Sequence, residues 1–266
     1  MERKLHLRFL KVNLLLVLSI AGYGQVWHKI STSELKQGPS AYSTDFQGNL
    51  YLGFSDGRLT KYDPRGKVLE NFSLSNNSSI SLIDVQNNLK PFLFYFDNQQ
   101  ITILDRFASV PKDYRISDFE LEIGMLACPA PDGDFWIVEN NPQRLKKINP
   151  LRKITVLEVQ VSLGDSISRM QAYQNILVIG DVNKLYILDQ FGGILHVLKF
   201  EKLINFQIAN GILYANTNWE IHEINPFKGI IISTLKKPDS GKMLKSKAGF
   251  ISIAKKTLTF YRLERP

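Results

Sequence analysis

Side chains that bind a metal, move a proton or attack a carbon must converge on one point, and few in this chain are spaced to do so. The four histidines are His6, His28, His196 and His222. His6 falls in an N-terminal segment expected to be removed, His28 and His196 fall on expected outer strands, and His222 falls on an expected third strand. Zinc and calcium need several imidazole, thiolate or oxygen ligands around one ion, and this distribution assembles none. Ser, His and Asp do not form a recognisable nucleophile motif. The one cysteine, Cys128, precludes an internal disulfide. The residue inventory therefore assigns no catalytic residue, no metal ligand and no cofactor.

Binding chemistry leaves clearer marks, on two sets of turns. Two residues beyond the Asp or Asn that ends a third strand stand Arg65, Phe107, Leu151, Phe191 and Phe227. Four successive repeats thus place a bulky apolar side chain at one rim, which is a partner-docking arc if the side chains are exposed. Packing of each ring beneath its own turn is the favoured expectation, because single apolar residues commonly tuck inward. At the opposite rim Asp56, Asp97, Asn140 and Asp181 occupy equivalent turns, with Trp219 in the turn Asn216-Thr217-Asn218-Trp219. A tryptophan among acids and amides stacks a sugar or anchors a peptide, whereas the acids and amides alone are what hairpin turns demand. Lys236, Lys237, Lys242, Lys245, Lys247, Lys255 and Lys256 cluster near the C-terminus against only Asp239. A solvated face is the default reading of that cluster, and a site for an acidic partner or anionic lipid is the alternative.

These turns belong to a six-fold repeat. An apolar segment begins at Leu50, Phe92, Phe135, Ile176, Ile212 and Phe250, at intervals of 36 to 43 residues, and a second begins 8 to 10 residues later at Leu59, Ile101, Leu145, Leu185, Ile221 and Leu258. This period is that of a four-stranded propeller blade. The first segment is apolar on both alternating faces, as in Phe92 to Phe96, so it must be covered on both sides. A weaker segment precedes it, and a fourth strand is expected nine residues after each of the first five third strands, at Val68, Val110, Ile154, Ile194 and Ile230. Ser73 to Ser79 and Val110 to Glu122 are read as interblade loops. The expected fold is all-β, a six-bladed β-propeller with four-stranded antiparallel blades. The sixth repeat lacks a fourth strand, and Val26 to Ile30 is expected to supply it from the N-terminal side, removing a sheet edge.

Residues 1–24 read as a signal peptide: Arg3, Lys4, Arg8 and Lys11 precede a mostly apolar Val12 to Ile20, then small residues before Gln25. The apolar run is too short to span a bilayer. Residues 25–266 are expected to form a single propeller domain, monomeric and without a transmembrane anchor. The formal charge of +8 includes +3 from the signal segment, leaving +5. That mild excess points to acidic surfaces before nucleic acid. Asp165-Ser166-Ile167 is similar to the short acceptor motif of exported bacterial O-glycoproteins.

Asp45 to Leu52 followed by Arg58 to Lys67, and Pro131 to Val138 followed by Arg144 to Pro150, resemble the NHL-repeat and related six-bladed propellers. The resemblance is close in those two blades. It implies the propeller fold, and it admits activities found among such propellers, metal-dependent lactonases and lyases with histidine-bound zinc. Those sites need ligands converging in the central channel. Counting five residues back from each second strand gives Asp45, Asn87, Ala130, Gln171, Gln207 and Lys245, and one carboxylate with one lysine makes no cation site. The expected function is a non-catalytic protein-interaction module, exported to the periplasm or associated with an outer-membrane assembly. A glycan- or small-ligand-binding propeller is the first alternative and a lactonase- or lyase-type enzyme the second.

Overall fold

Apolar residues on both faces of a strand require a neighbour on each side, and six such strands meet that requirement by standing in a ring of sheets. The computed structural model describes residues 25–73, 77–87, 89–105, 111–140, 142–164 and 166–265. Strand β1 (Val26–Glu34) precedes the first repeat. Blade one is β2 (Ala41–Thr44), β3 (Leu50–Gly53), β4 (Arg58–Tyr62) and β5 (Val68–Ser73); blade two is β6 (Leu82–Asp84), β7 (Phe92–Tyr95), β8 (Gln100–Ile103) and β9 (Lys112–Arg115). Blade three is β10 (Gly124–Pro129), β11 (Phe135–Glu139), β12 (Arg144–Asn149) and β13 (Ile154–Gln160); blade four is β14 (Arg169–Tyr173), β15 (Ile176–Gly180), β16 (Lys184–Asp189) and β17 (Ile194–Lys199). Blade five is β18 (Asn205–Ala209), β19 (Ile212–Asn216), β20 (Glu220–Asn225) and β21 (Ile230–Lys236). Blade six is β22 (Lys242–Ser246), β23 (Gly249–Ala254), β24 (Thr257–Glu264) and β1.

All adjacent strands pair antiparallel, so each blade is a meander whose turns alternate between two faces. The first-to-second and third-to-fourth turns share one face. The second-to-third turns and the starts of the inner strands share the other, called here the entry face. Strands β3, β7, β11 and β15 are buried at every residue. The core lies between blades. One apolar cluster joins blades three and four through Trp136, Val138, Leu177 and Ile179, and five others join the remaining neighbouring pairs around the ring. Full burial of one such side chain stabilises by about 1.5–3 kcal/mol.

The ring closes as the expected N-terminal strand requires, with β1 running antiparallel to β24 from Val26↔Glu264 to Glu34↔Thr257. The strand is longer than Val26 to Ile30 because a register shift between Lys29 and Ser31 lets it follow the full length of β24. Trp27 fastens it, with its ring edge-on to Phe250 and Tyr261 and its indole N–H donating to the Lys236 carbonyl of blade five at 2.8 Å.

Two expectations need correction. Val110 to Glu122 is not simply a loop: Lys112–Arg115 is the outer strand of blade two and Ile116–Phe119 a short 3-10 helix that buries Ile116 and Phe119. Val110 itself, like residues 1–24, lies outside the described residues. The constant five-residue offset used to align the inner ring also fails. The first-to-second hairpins of blades four, five and six have two intervening residues, whereas those of blades one to three have five or seven. The short hairpins place Gln174 and Asn210 at φ of 51°, as two-residue hairpins demand.

Candidate functional site

The residues counted into the channel ring turn out to do structural work. Asp45 accepts the backbone and side-chain N–H groups of Asn49 at 2.9 and 2.8 Å, closing its own hairpin. Asn87 accepts the Leu89 N–H at 3.1 Å. Ala130 is a buried hairpin residue whose N–H donates to the Asp134 carbonyl. Gln171 accepts the Ile208 N–H at 2.7 Å and donates to the Ile208 carbonyl, and Gln207 does the same to Lys245 at 2.9 and 3.3 Å. Each glutamine thus rivets its blade to the next inner strand. Lys245 folds over the Phe250 ring and donates to the Gly249 carbonyl, so it is not a solvated cation, and burial pushes its amine down. Lys237 is likewise tied to the Thr217 carbonyl, and burial, partly offset by Asp239, lowers its pKa to about 8.

On the face opposite the entry face the apolar rim is open, contrary to the expectation that each ring packs under its turn. Leu151 is 78% exposed, Phe191 66% and Phe227 42%; Phe107 lies outside the described residues. The cause is local. Asp63, Asp189 and Asn225 each accept the N–H of the residue two positions on, Arg65, Phe191 and Phe227. Such an Asx-turn tightens the backbone over the strand end and turns the following side chain away from the blade. Three residues further on, exposed Ile154, Ile194 and Ile230 open the outer strands, joined by Val156, Leu195 and Ile231. Blades three, four and five therefore each expose apolar side chains at the rim and on the outer strand.

The turns of the entry face behave differently. Asp56 pairs with Arg58 at 2.7 Å within its own hairpin, and this hydrogen bond lowers its pKa. Asp181 accepts the Val182 N–H at 2.6 Å. Asp97 and Asn140 are exposed. Trp219 is 73% exposed and its carbonyl accepts the Lys237 N–H. These residues stand at separate turns around the rim, and none of them lines the cavity at the channel mouth.

A cavity of about 140 Å³ does lie on the entry face, at the mouth of the central channel. Its wall is made where the inner strands begin: Ser40, Ser81, Ser168 and Ile204 immediately precede β2, β6, β14 and β18, and Lys242 opens β22. Arg169 and Asn205, the first residues of β14 and β18, face it with Tyr42 and Phe206. Of these side chains the sequence singled out Lys242 alone, as a member of the lysine cluster. They come from different blades, so no window of sequence contains them, and the one available signal was a polar residue at or just before the start of five of the six inner strands.

Among the described residues no group of three or more His, Cys, Asp or Glu side chains is placed to hold a metal ion. His28 meets Glu264 at 2.9 Å, His196 the Phe227 carbonyl at 3.2 Å and His222 the Thr234 hydroxyl at 3.0 Å. Ser166 is exposed, while Asp165 lies outside the described residues.

No protein-family model and no curated protein matches the chain. Solved structures do match in shape. A streptogramin B lyase superposes with a TM-score of 0.63 at 13% identity, covering 92% of this chain and 100% of its own. A catalytically inactive virginiamycin B lyase from Staphylococcus aureus with quinupristin superposes with a TM-score of 0.56 at 15% identity, covering 82% and 77%. The likeness is one of fold, and a fold does not carry its function with it.

Proposed function

We propose that this chain is a non-catalytic propeller of the NHL-like class, exported to the bacterial envelope, that docks a protein partner in the periplasm or at an outer-membrane assembly. The observation that carries the reading is the apolar rim of blades three to five, where Leu151, Phe191 and Phe227 stand exposed above the exposed isoleucines of three outer strands. Apolar side chains exposed at equivalent positions of successive blades are what a partner-binding surface offers, and aromatic side chains among them are the usual anchors. The signal-like residues 1–24 support the location, and the mild positive charge supports a partner that is not nucleic acid. The lyase activity of the structural neighbours is not carried over, because no observation on this chain's own residues favours it.

A second reading, a glycan-binding module, is favoured by the exposed Trp219 indole alone. The test is a pull-down from envelope extract with the wild type, a Leu151→Ser/Phe191→Ser/Phe227→Ser variant and a Trp219→Ser variant. A partner captured by the wild type and by Trp219→Ser, and lost from the triple variant, is the expected result. Retention by the triple variant overturns the reading, and loss from Trp219→Ser alone moves the site to the entry face.

A further inference from the structure

We propose that the cavity at the channel mouth binds a small organic carboxylate that carries an N–H or O–H donor beside its carboxylate, with Arg169 receiving the anion and Asn205 the donor. This site is on the face opposite the apolar rim and does not depend on the docking reading.

Among the described residues Arg169 has no carboxylate in ion-pair contact. Its guanidinium sits 5.3 Å from the Tyr42 ring centroid and 5.9 Å from that of Phe206, and these two rings from blades one and five hold it across the channel. Its one hydrogen bond among the described residues, from Nη1 to the Tyr42 carbonyl, is 3.5 Å long, at the outer limit of the interaction. Nε is buried with no partner among those residues. The carboxyl whose field reaches it is Asp84, and that group is pushed up by burial, with the Gln86 hydrogen bonds and Arg169 opposing. A guanidinium keeps its charge and offers five N–H donors in a fork suited to a carboxylate, so most of this donor set is unspent.

Asn205 supplies the complementary vacancy in hydrogen bonding. The side chain is only 4% exposed. Its Nδ2 donates to the Met243 carbonyl at 3.3 Å, which fixes the amide's orientation and leaves Oδ1 as the atom with no partner. Asn216, directly across the sheet, is fully buried with both amide atoms unpartnered. Five buried side-chain atoms among the described residues lack partners, and four of them belong to Arg169, Asn205 and Asn216. Buried polar atoms in folded proteins are almost always paired; Arg169 and Asn205 line the cavity and Asn216 stands behind it as the cross-strand partner of Asn205, so the unpartnered Arg169 Nε and Asn205 Oδ1 point to a missing group with acceptor and donor atoms together.

The rest of the wall narrows the chemistry. Ser81 Oγ accepts the Phe96 N–H at 3.1 Å and keeps its own proton to give. Ser40 spends its proton on backbone carbonyls. Lys242, 5.2 Å from the Tyr42 centroid, adds a second positive charge at the opening. Leu82, Ile83 and Leu203 line the same space, which favours an organic substituent over a bare inorganic anion. The volume has room for several waters and hence for a small acid.

The experiment is calorimetric titration of the purified full chain with lactate, N-acetylalanine, propionate and inorganic phosphate. Saturable binding of lactate or N-acetylalanine, about tenfold tighter than propionate, is expected, a factor corresponding to one hydrogen bond. Arg169→Gln should abolish binding, Asn205→Ala should level the donor-bearing acid with propionate, and Lys242→Gln should weaken it several-fold. Should Arg169→Gln fail to fold by circular dichroism, the exposed Lys242→Gln and the Ser81→Ala variants carry the test, and unchanged affinity in both overturns the site. Absence of saturable binding by either donor-bearing acid, equal binding of propionate, or binding of phosphate alone each overturns the proposal.

Discussion

Glu223 shows how one residue couples the chain end to a neighbouring blade. Its side chain is nearly buried, with Arg265 donating from Nη1 to Oε2 at 2.9 Å and from Nη2 to Oε1, and Ser233 donating to Oε2 at 2.6 Å. Burial pushes the carboxyl up, but the Arg265 and Ser233 hydrogen bonds outweigh it and its pKa is lowered from 4.5. A depressed carboxyl pKa contributes stability that is present above the unfolded value and is lost as pH falls through the folded one. Glu223→Gln should therefore cost about 1–2 kcal/mol at neutral pH, less than a fully buried pair because half of Arg265 is in water, and should flatten the acid limb of a denaturant-midpoint profile below about pH 4.5. An acid limb of unchanged slope would disconnect Glu223 from acid stability. Cys128 makes the converse case: burial first, then the Asp84 charge, pushes its thiol well up, and the side chain is fully enclosed. A thiol reagent should label it only at the rate of unfolding; rapid labelling of the native protein would contradict the packing between blades three and four.

At the scale of elements, two joints hold the ring. The first is β1 on β24. Deleting residues 26–34 removes the Trp27 contacts with Phe250 and Tyr261 and bares the edge of β24, so the truncated protein should melt lower and self-associate. A monomer with an unchanged melting temperature would show that the closure is dispensable. The second joint is the pair of glutamine rivets. Gln207→Leu leaves the Lys245 N–H and carbonyl without the amide that bonds both, and an unmade buried bond costs about 1–3 kcal/mol. The denaturant midpoint should shift accordingly. The existence of β1 and of the blade strands was legible, because apolar runs and their spacing are local, except around β9, whose Lys112–Arg115 carries no apolar run and fell in a segment read as a loop. The rivets were not: the count back reached Gln171 and Gln207, but their bonds to Ile208 and Lys245 join different blades and exist only once the ring brings neighbouring inner strands together.

For the whole molecule, the apolar rim is the feature without an internal purpose. Its rim side chains stand in solvent, so the Leu151→Ser/Phe191→Ser/Phe227→Ser variant should lose about 1 kcal/mol or less of folding stability, in the range of surface substitutions. A loss of several kcal/mol, as for truncated buried aromatics, would mean that the side chains pack beneath their turns in solution. The turn positions of these residues were readable in the chain. Their direction was not, because the choice between tucking and projecting depends on the Asx-turn hydrogen bonds of Asp189 and Asn225.

By itself the sequence determined the blade count, the order of strands within each blade and the N-terminal closure, because a strand's need for cover on one or both faces is written in alternation and repeat spacing. Only the tertiary structure decided which side chains meet in the channel. Tyr42, Arg169, Asn205 and Lys242 come from four blades and are brought together by closure of the ring. Their proximity follows from the geometry of that closure, which no local pattern of residues encodes.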